Sequence, residues 1–377
     1  MVPKEYYGRL FTKEQLPVNY HPEALTLEGM IKVDKQLRCK RCYSWIEEDW
    51  QLPGGQYYCR ACIVFGRNQE GKELYYFPSK TSEIEFPVLK WFGELTPYQA
   101  KVSEKLLRTY QKQKDSLVHA VTGAGKTEMI YNIVAYVLEN KGHVAIASPR
   151  VDVCRELFLR MKRDFTCSIS LLHAESEPYD GSPLVIATTH QLLKFYQSFD
   201  LVIVDEVDAY PFVGNVMLNH AVEQAKTETG RFIYLTATST LSLEEQVRLG
   251  TLEKHHLARR FHGNPLVLPK LFWQGRLQKS LTRGKLPRPL LYQIKKQRKS
   301  KFPLLIFFPN IAIGEKFTSI LQKYLPDEKM AFVSSKSEKR STIVEKFRKK
   351  ELSILVTTTI LERGVTFPQV DVFVCMA

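Results

Sequence analysis

The chain has 377 residues, with 54 Lys and Arg against 40 Asp and Glu, for a net charge of +14. That length predicts two or three domains, each with its own core. No stretch approaches the roughly 18 to 20 uninterrupted apolar residues of a membrane-spanning helix, and Met1-Val-Pro-Lys-Glu5 lacks a signal-peptide core, so a cytoplasmic chain is expected.

The charge is unevenly placed. Between Lys254 and Gly314 there is no Asp or Glu but there are 14 Lys and Arg, so the rest of the chain is close to neutral. A local field of this kind suits a polyanion, nucleic acid first, although a solvated basic linker is the plainer alternative. Of the seven cysteines, an odd number, four pair off at short spacing, which argues for metal rather than disulfides.

Residues 1–35 hold scattered Pro, Tyr and charge without a period, and read as an arm that packs on the segment after it. Residues 36–90 carry Cys39-x2-Cys42 and Cys59-x2-Cys62, two knuckles with the spacing of a closed tetrahedral Zn²⁺ site. Four protein thiolates leave no open position, so the role is structural. Trp45, Trp50, Tyr57 and Tyr58 around Pro53-Gly54-Gly55 predict a hairpin with aromatic cover. The module mixes Lys40, Arg41, Arg60 and Arg67 with Glu47, Glu48 and Asp49, which leaves its partner, nucleic acid or protein, open. Tyr75 to Leu89 alternates loosely and reads as strands.

Residues 91–262 read as a nucleotide-binding domain. Trp91 and Gln99 stand just upstream of an apolar run that ends in a loop, Thr122-Gly-Ala-Gly-Lys-Thr127. An aromatic ring there could stack on an adenine and the Gln99 amide could read its edge; Thr96-Pro97 is equally a plain helix start. Leu117 to Ala120 predicts a buried strand, and Thr122, Gly123, Ala124 and Gly125 a loop whose N–H groups turn inward around phosphate. Lys126 is then positioned for the β- and γ-phosphates and the Thr127 hydroxyl for Mg²⁺, with a helix following. Met129, Ile130, Ile133, Val134, Val137 and Leu138 form that helix's apolar face, and Gly142 its stop.

Short apolar runs at Val144–Ala147, Leu184–Ala187, Leu201–Val204 and Phe232–Leu235 alternate with amphipathic helices, the pattern of a parallel sheet with ligands at the strands' C-terminal edge. Asp205-Glu-Val-Asp208 ends one of these runs. Asp205 is placed to hold Mg²⁺ through water and Glu206 to activate the attacking water. Thr236-Ala-Thr238 ends the next run; with Asp208 it is read as coupling the nucleotide site to a second domain.

Gln99, the phosphate loop, Ser148-Pro149-Arg150, Thr188-Thr-His-Gln191, the acidic motif and Thr236-Ala-Thr238 together resemble the first RecA-like domain of a superfamily 2 helicase. With the four-Cys module, the chain most resembles the ComFA family of bacterial competence ATPases, and more distantly PriA. The resemblance implies nucleic-acid backbone contacts at Pro149, Arg150, Thr188 and Thr189. It continues into a second domain, residues 303–377, where Leu304 to Asn310 matches the fourth motif and Ile354 to Thr366 the fifth. There Thr357 and Thr358 are implied to face nucleic acid, Arg363 the nucleotide, and Gly364 the coupling between them. Residues 263–302 read as a basic connecting segment, in which Arg276 to Lys301 lies beside the cleft and neutralises phosphates of a moving strand.

The sequence stops before the family's sixth motif, whose arginines approach the γ-phosphate, so the second domain is expected to be incomplete at its C-terminus. The fold expected is α/β: two RecA-like parallel-sheet domains preceded by a small zinc module. The function expected is an ATP-dependent translocase on single-stranded DNA in natural transformation, using ATP, Mg²⁺ and Zn²⁺. A replication-restart or RNA helicase, or a nucleotide-gated scaffold with little turnover, are the alternatives. The resemblance further implies ComFC, DprA and the channel ComEC as partners, a homo-oligomer, and a place at the inner face of the membrane. Cys154, Cys167 and Cys375 are expected to be buried and reduced, and His119 to be a packed core residue.

Overall fold

A computed structural model describes residues 2–81, 84–261, 268–273, 275, 277–361, 367 and 369–375. The chain divides into two units, 1–266 and 267–377.

The first unit begins with strands β1 (Leu10–Thr12), β2 (Leu25–Glu28), β3 (Met30–Val33) and β4 (Gln36–Cys39), followed after the cysteine module by β5 (Glu73–Tyr76). β5 pairs antiparallel with both β1 and β2, so the N-terminal residues, expected to be an arm packed on the segment after it, do pack there but as two strands of a three-stranded sheet. Its small core is Val2, Phe11, Leu16 and Phe77. Sequence periodicity missed this sheet because β1 is three residues long and buried throughout, with no alternation to read. The cysteine module, residues 29–72, is thus an insertion between two strands of one sheet. It holds the β3–β4 hairpin, and the expected aromatic hairpin is reduced to single bridges such as Gln51 to Tyr57.

Beyond it come α1 (Pro97–Gln111), β6 (Asp115–Ala120), α2 (Lys126–Met129), α3 (Tyr131–Glu139), β7 (Val144–Ser148), α4 (Val151–Asp164), β8 (Ile169–Leu172), β9 (Leu184–Thr188), β10 (Phe199–Asp205), α5 (Val216–Ala225), β11 (Lys226–Thr236), α6 (Leu241–Arg248) and β12 (Leu252–Leu257). The seven strands from β6 onward form one parallel sheet in the order β12-β6-β11-β10-β7-β9-β8. Its central strands are buried on both faces, which is why they read as unbroken apolar runs. Helices α1 to α4 cover one face, around Ile133, Val134, Leu138 and Met161. On the other face lie α5, α6 and the cysteine module itself, with Cys39, Cys42, Cys59 and Cys62 in the same cluster as Leu218, Val222 and Leu243.

The second unit contains α7 (Leu277–Thr282), α8 (Arg288–Arg298), β13 (Leu304–Phe307), α9 (Ile311–Tyr324), β14 (Met330–Val333), α10 (Arg340–Arg348), β15 (Ile354–Thr357) and β16 (Asp371–Val374). Its four strands are parallel, in the order β14-β15-β13-β16. The expected connecting segment is not a linker over its second half. Leu277, Leu281, Leu286 and Ile294 are buried against Phe317 and Leu321 of α9, so α7 and α8 belong to this unit's core. Its cations concealed a helical repeat of apolar positions.

Candidate nucleotide and nucleic-acid site

The order of strands decides what meets at the sheet's C-terminal edge. β6, β11 and β10 are neighbours, so the loop after β6, the Thr236 turn after β11 and the acidic turn after β10 stand side by side. Two inter-strand spacings separate the first from the last, about 10 Å. On the far side of β10 follow β7, ending in Ser148, and β9, ending in Thr188, paired in register.

The phosphate loop has the backbone its composition predicted. Gly123 and Gly125 have φ of 79° and 73°, left-handed values that side chains resist. A Cβ on Gly125 would stand 2.3 Å from Gln99 Nε2, so the position demands glycine twice over. Lys126 opens α2, and Ile130 carries the turn on into α3 through the Val134 N–H to Ile130 carbonyl bond of 3.0 Å. The expected apolar face is buried throughout, from Met129 and Ile130 to Leu138.

Gln99 has other partners than those expected. Its Oε1 accepts from the Thr96 N–H and hydroxyl, both at 2.9 Å, closing a capping box at the start of α1. Its Nε2 donates to the Ala124 carbonyl at 2.9 Å, and the residue is 5% exposed. Gln99 therefore braces the phosphate loop; its amide is not presented to an incoming base. Trp91 likewise packs edge-on against Tyr131. The open ring near Gln99 is Tyr98, half exposed, with the Arg259 guanidinium 4.8 Å from its centroid.

In the acidic turn the Asp205 carboxylate accepts the Glu206 N–H at 2.9 Å, and Glu206 sits at φ 54°. A non-glycine residue in that region is held there by its surroundings. Asp208 accepts the Thr236 hydroxyl at 2.7 Å, and the same oxygen of Thr236 accepts the Thr238 N–H at 2.9 Å. The three residues read as coupling elements thus form one hydrogen-bonded chain between β10 and β11.

Two arginines that no sequence motif marks sit at this site. β12 pairs with β6 through Leu257 and Ala120, so the chain leaving β12 passes over the phosphate loop. The Val121 N–H bonds the Leu257 carbonyl at 3.2 Å and the Phe261 N–H the Gly123 carbonyl at 3.1 Å. Arg259 and Arg260 lie in the arch between these two bonds. Only the pairing of β12 with β6, which no local pattern encodes, could have placed them.

At the other end of the edge, Arg150 is the N-cap of α4, and Thr188 and Thr189 are 8% and 0% exposed. Burial of Thr189 takes its hydroxyl out of reach of a bound strand, a correction to its expected contact. Thr357 and Thr358 are also buried, at the end of β15, where the Thr357 hydroxyl donates to the Thr358 carbonyl at 3.2 Å. Arg363 and Gly364 lie outside the described residues. His119 is half buried with Nε2 3.2 Å from the Ala237 carbonyl. Cys154 is buried, whereas Cys167 and Cys375 are only partly so.

The four knuckle cysteines converge. All have 0% exposure, and their sulfur atoms lie within 4.8 Å of one another. Cys39 and Cys62 are 3.7 Å apart and Cys42 and Cys59 3.4 Å, close to the ~3.8 Å separation that four Zn–S bonds of about 2.3 Å impose at tetrahedral angles. The donor set and spacing fit Zn²⁺. Sulfur–sulfur hydrogen bonds, that from Cys42 first, hold the Cys39 thiol well below its usual range, and Asn68 Nδ2 donates to the same sulfur at 3.2 Å. Arg41, within the first knuckle, is completely buried and bonds the Gly66 carbonyl at 2.7 Å.

The module is anchored to α5. His220 Nε2 lies 2.9 Å from the Lys40 carbonyl, and its ring stacks on Tyr43 at 4.8 Å and 15°. The Arg38 guanidinium is 3.3 Å from the centroid of the Tyr43 ring.

Comparison with known proteins accords with this geometry. The DEAD/DEAH box helicase family is matched over residues 96–246 and the helicase conserved C-terminal domain over 286–377. The chain is 55% identical over 376 residues to competence protein ComFA of Streptococcus pneumoniae, covering 99% of this chain and 86% of that one. The chain belongs to the ComFA family. A second ComFA, from Bacillus subtilis, is 34% identical over 372 residues, covering 96% of this chain and 79% of that one. As a ComFA-family member with both helicase domains, the protein is a competence-associated, helicase-type ATPase that uses ATP and Mg²⁺. Among solved structures, the DEAD-box helicase Mss116 bound to ssRNA and UDP-BeF has a TM-score of 0.56 at 20% identity, covering 75% of this chain and 64% of that one. Mycobacterium smegmatis helicase Lhr bound to ssDNA and AMP-PNP gives 0.52 at 18%, covering 75% and 42%. These likenesses establish the RecA-like fold of both parallel sheets. No helix among the described residues is long and apolar enough to cross a membrane.

Proposed function

We propose that this ComFA-family ATPase is a translocase on single-stranded DNA that drives DNA uptake in natural transformation. The observation that carries the reading is the order of strand ends along one sheet edge: phosphate loop, Thr236 turn, acidic turn, then Ser148-Pro149-Arg150 and Thr188. Nucleotide-binding and strand-binding groups share one edge, and the hydrogen-bonded Asp208–Thr236–Thr238 chain stands within it.

Lys126 and the loop N–H groups bind the polyphosphate, Asp205 and Thr127 hold Mg²⁺, and Glu206 orients the attacking water. When bound, Mg²⁺ supplies charge neutralisation at the transferred phosphoryl group. Arg150, the Pro149 backbone and Thr188 grip phosphates without reading bases, which makes the motor indifferent to sequence. In the second unit the family resemblance gives Thr358 a place against the strand, Arg363 one against nucleotide and Gly364 the coupling, while Thr357, fully buried, is set aside as Thr189 is; the four cysteines hold a structural Zn²⁺.

Helix α8 adds cationic surface. Arg288, Tyr292, Lys295 and Lys299 are exposed and spaced four, three and four residues apart, hence on one stripe, while Ile294 is buried and Arg298 turns inward to Glu328 at 2.7 Å. No carboxylate among the described residues pairs with the stripe's three cations. A cationic row with an interleaved ring suits the backbone and bases of a single strand. Gln297 near the end of α8 donates to Asp371 at the start of β16 at 3.0 Å, which fixes that end of the stripe at the sheet's N-terminal edge. The family resemblance further supports ComFC, DprA and ComEC as partners, a homo-oligomer, and a place at the inner face of the membrane.

The test is phosphate release from ATP with and without single-stranded DNA, with Lys126→Ala as control. Turnover stimulated by single-stranded DNA and abolished in the variant is expected. Stimulation by RNA and not DNA would overturn the substrate assignment, and strand displacement on a forked duplex would replace translocation by unwinding.

A further inference from the structure

We propose that Arg260 is a phosphate-binding residue of the nucleotide site, supplied by the first unit itself. The proposal rests on the reading of residues 122–127 as an ATP-binding loop and adds to it a cation that lies outside all of the helicase motifs.

The segment after β12 is tied to the loop at two points, Val121 to Leu257 and Gly123 to Phe261, with hydrogen bonds of 3.2 and 3.1 Å. Arg260 is immediately beside the second tie, so its Cα position is set by the loop it faces. Its stem packs on Gly123: a Cβ built there would lie 3.7 Å from Cγ, Cδ and Nε of Arg260. That Nε is buried and makes no hydrogen bond. A buried guanidinium N–H without an acceptor costs free energy that an anion at this position would recover. The five N–H donors of Arg suit phosphate oxygens, and the loop beneath is built for phosphate. Its neighbour Arg259 is engaged differently, with its cation 4.8 Å from the Tyr98 ring centroid. Of the two, Arg260 is the one directed at the loop.

The chemistry required of the ligand is a nucleoside di- or triphosphate. The experiment is isothermal titration of the full chain with ATP, ADP and adenosine, for the wild type and for Arg260→Ala, Arg260→Lys, Arg259→Ala and Lys126→Ala. Arg260→Ala is expected to weaken ATP and ADP by about tenfold or more, the scale of a charge-assisted hydrogen bond, and to leave adenosine unchanged. Arg260→Lys recovers part of the loss, and Arg259→Ala loses less than threefold. Unchanged ATP affinity in Arg260→Ala, with Lys126→Ala impaired, overturns the proposal and leaves the loop's assignment standing. An equal loss in Arg259→Ala overturns it too, since bulk charge then suffices. Absence of ATP binding in the wild type removes the loop's assignment and this proposal together. Thermal unfolding without nucleotide checks that each variant folds; should Arg260→Ala not fold, the contrast between ATP and adenosine in Arg260→Lys decides.

Discussion

Gln99 and Gly125 form the contact on which the phosphate loop's shape depends. The Gln99 amide spans from the first turn of α1 to the Ala124 carbonyl, and Gly125 leaves it room. Gly125→Ala meets Nε2 at 2.3 Å in a left-handed backbone, so it is expected to displace the brace and reduce ATP turnover at least tenfold. Gln99→Ala removes the cap and the brace without adding bulk. It should cost about 1 kcal/mol of stability, read by denaturant unfolding, and weaken ATP binding. Two buried histidines predict a pH dependence. Burial holds the imidazoles of His143 and His255 below their ordinary 6.5. A group whose folded pKa is depressed stabilises fully above the unfolded value and loses that contribution as pH falls through 6.5 toward the folded pKa. Melting temperature should therefore decline on acidification below about 6.5, with a slope of at most about 1.4 kcal/mol per pH unit for each histidine. In His143→Gln the decline should be shallower; an unchanged slope would remove His143 as its cause.

Helix α5 connects the cysteine module to the seven-stranded sheet. It starts a few residues after the acidic turn, shares a core with the four cysteines, and carries His220, which bonds and stacks on the first knuckle. Cys39→Ser is expected to lower bound zinc from about one per chain to near none by metal analysis, and to expose residues 29–72 to protease. Because α5 loses its cover, its amide protection should fall as well; loss of zinc with α5 protection intact would show that the module is only tethered. A double-mutant cycle on Tyr43→Ala and His220→Ala should give a coupling of about 0.5–1.5 kcal/mol. For α8, replacing Arg288, Lys295 and Lys299 with Gln should weaken single-stranded DNA binding. It should also flatten the plot of log affinity against log salt by about 2, since each phosphate contact on a single strand contributes about 0.7.

The whole chain consists of two units with separate sheets and separate cores. Calorimetry is expected to resolve two unfolding transitions. The phosphate loop, the acidic turn, Gln99 and Arg260 all belong to the first unit, so ATP should raise the transition of that unit. The gain is about 2.7 kcal/mol at a hundredfold excess over the dissociation constant. An equal shift of both transitions would mean that the second unit contributes comparably to binding.

The phosphate loop, the acidic turn and the paired knuckles are local patterns. Each needs particular residue types at fixed short spacing, because the backbone geometry of a loop or a turn is set within a few residues, and so each was legible from the chain alone. The first unit's parallel sheet followed from apolar runs alternating with helices, and the second unit's from the family resemblance. Three things depended on the tertiary structure. The cysteine module is an insertion within a small sheet because β5 returns to pair with β1 and β2 across more than forty residues. α7 and α8 join a core because Phe317 and Leu321, far along the chain, cover their apolar positions. Arg260 reaches the phosphate loop because β12 pairs with β6. Strand order is decided by which faces must be buried against which, a property of the assembled sheet that no single segment carries.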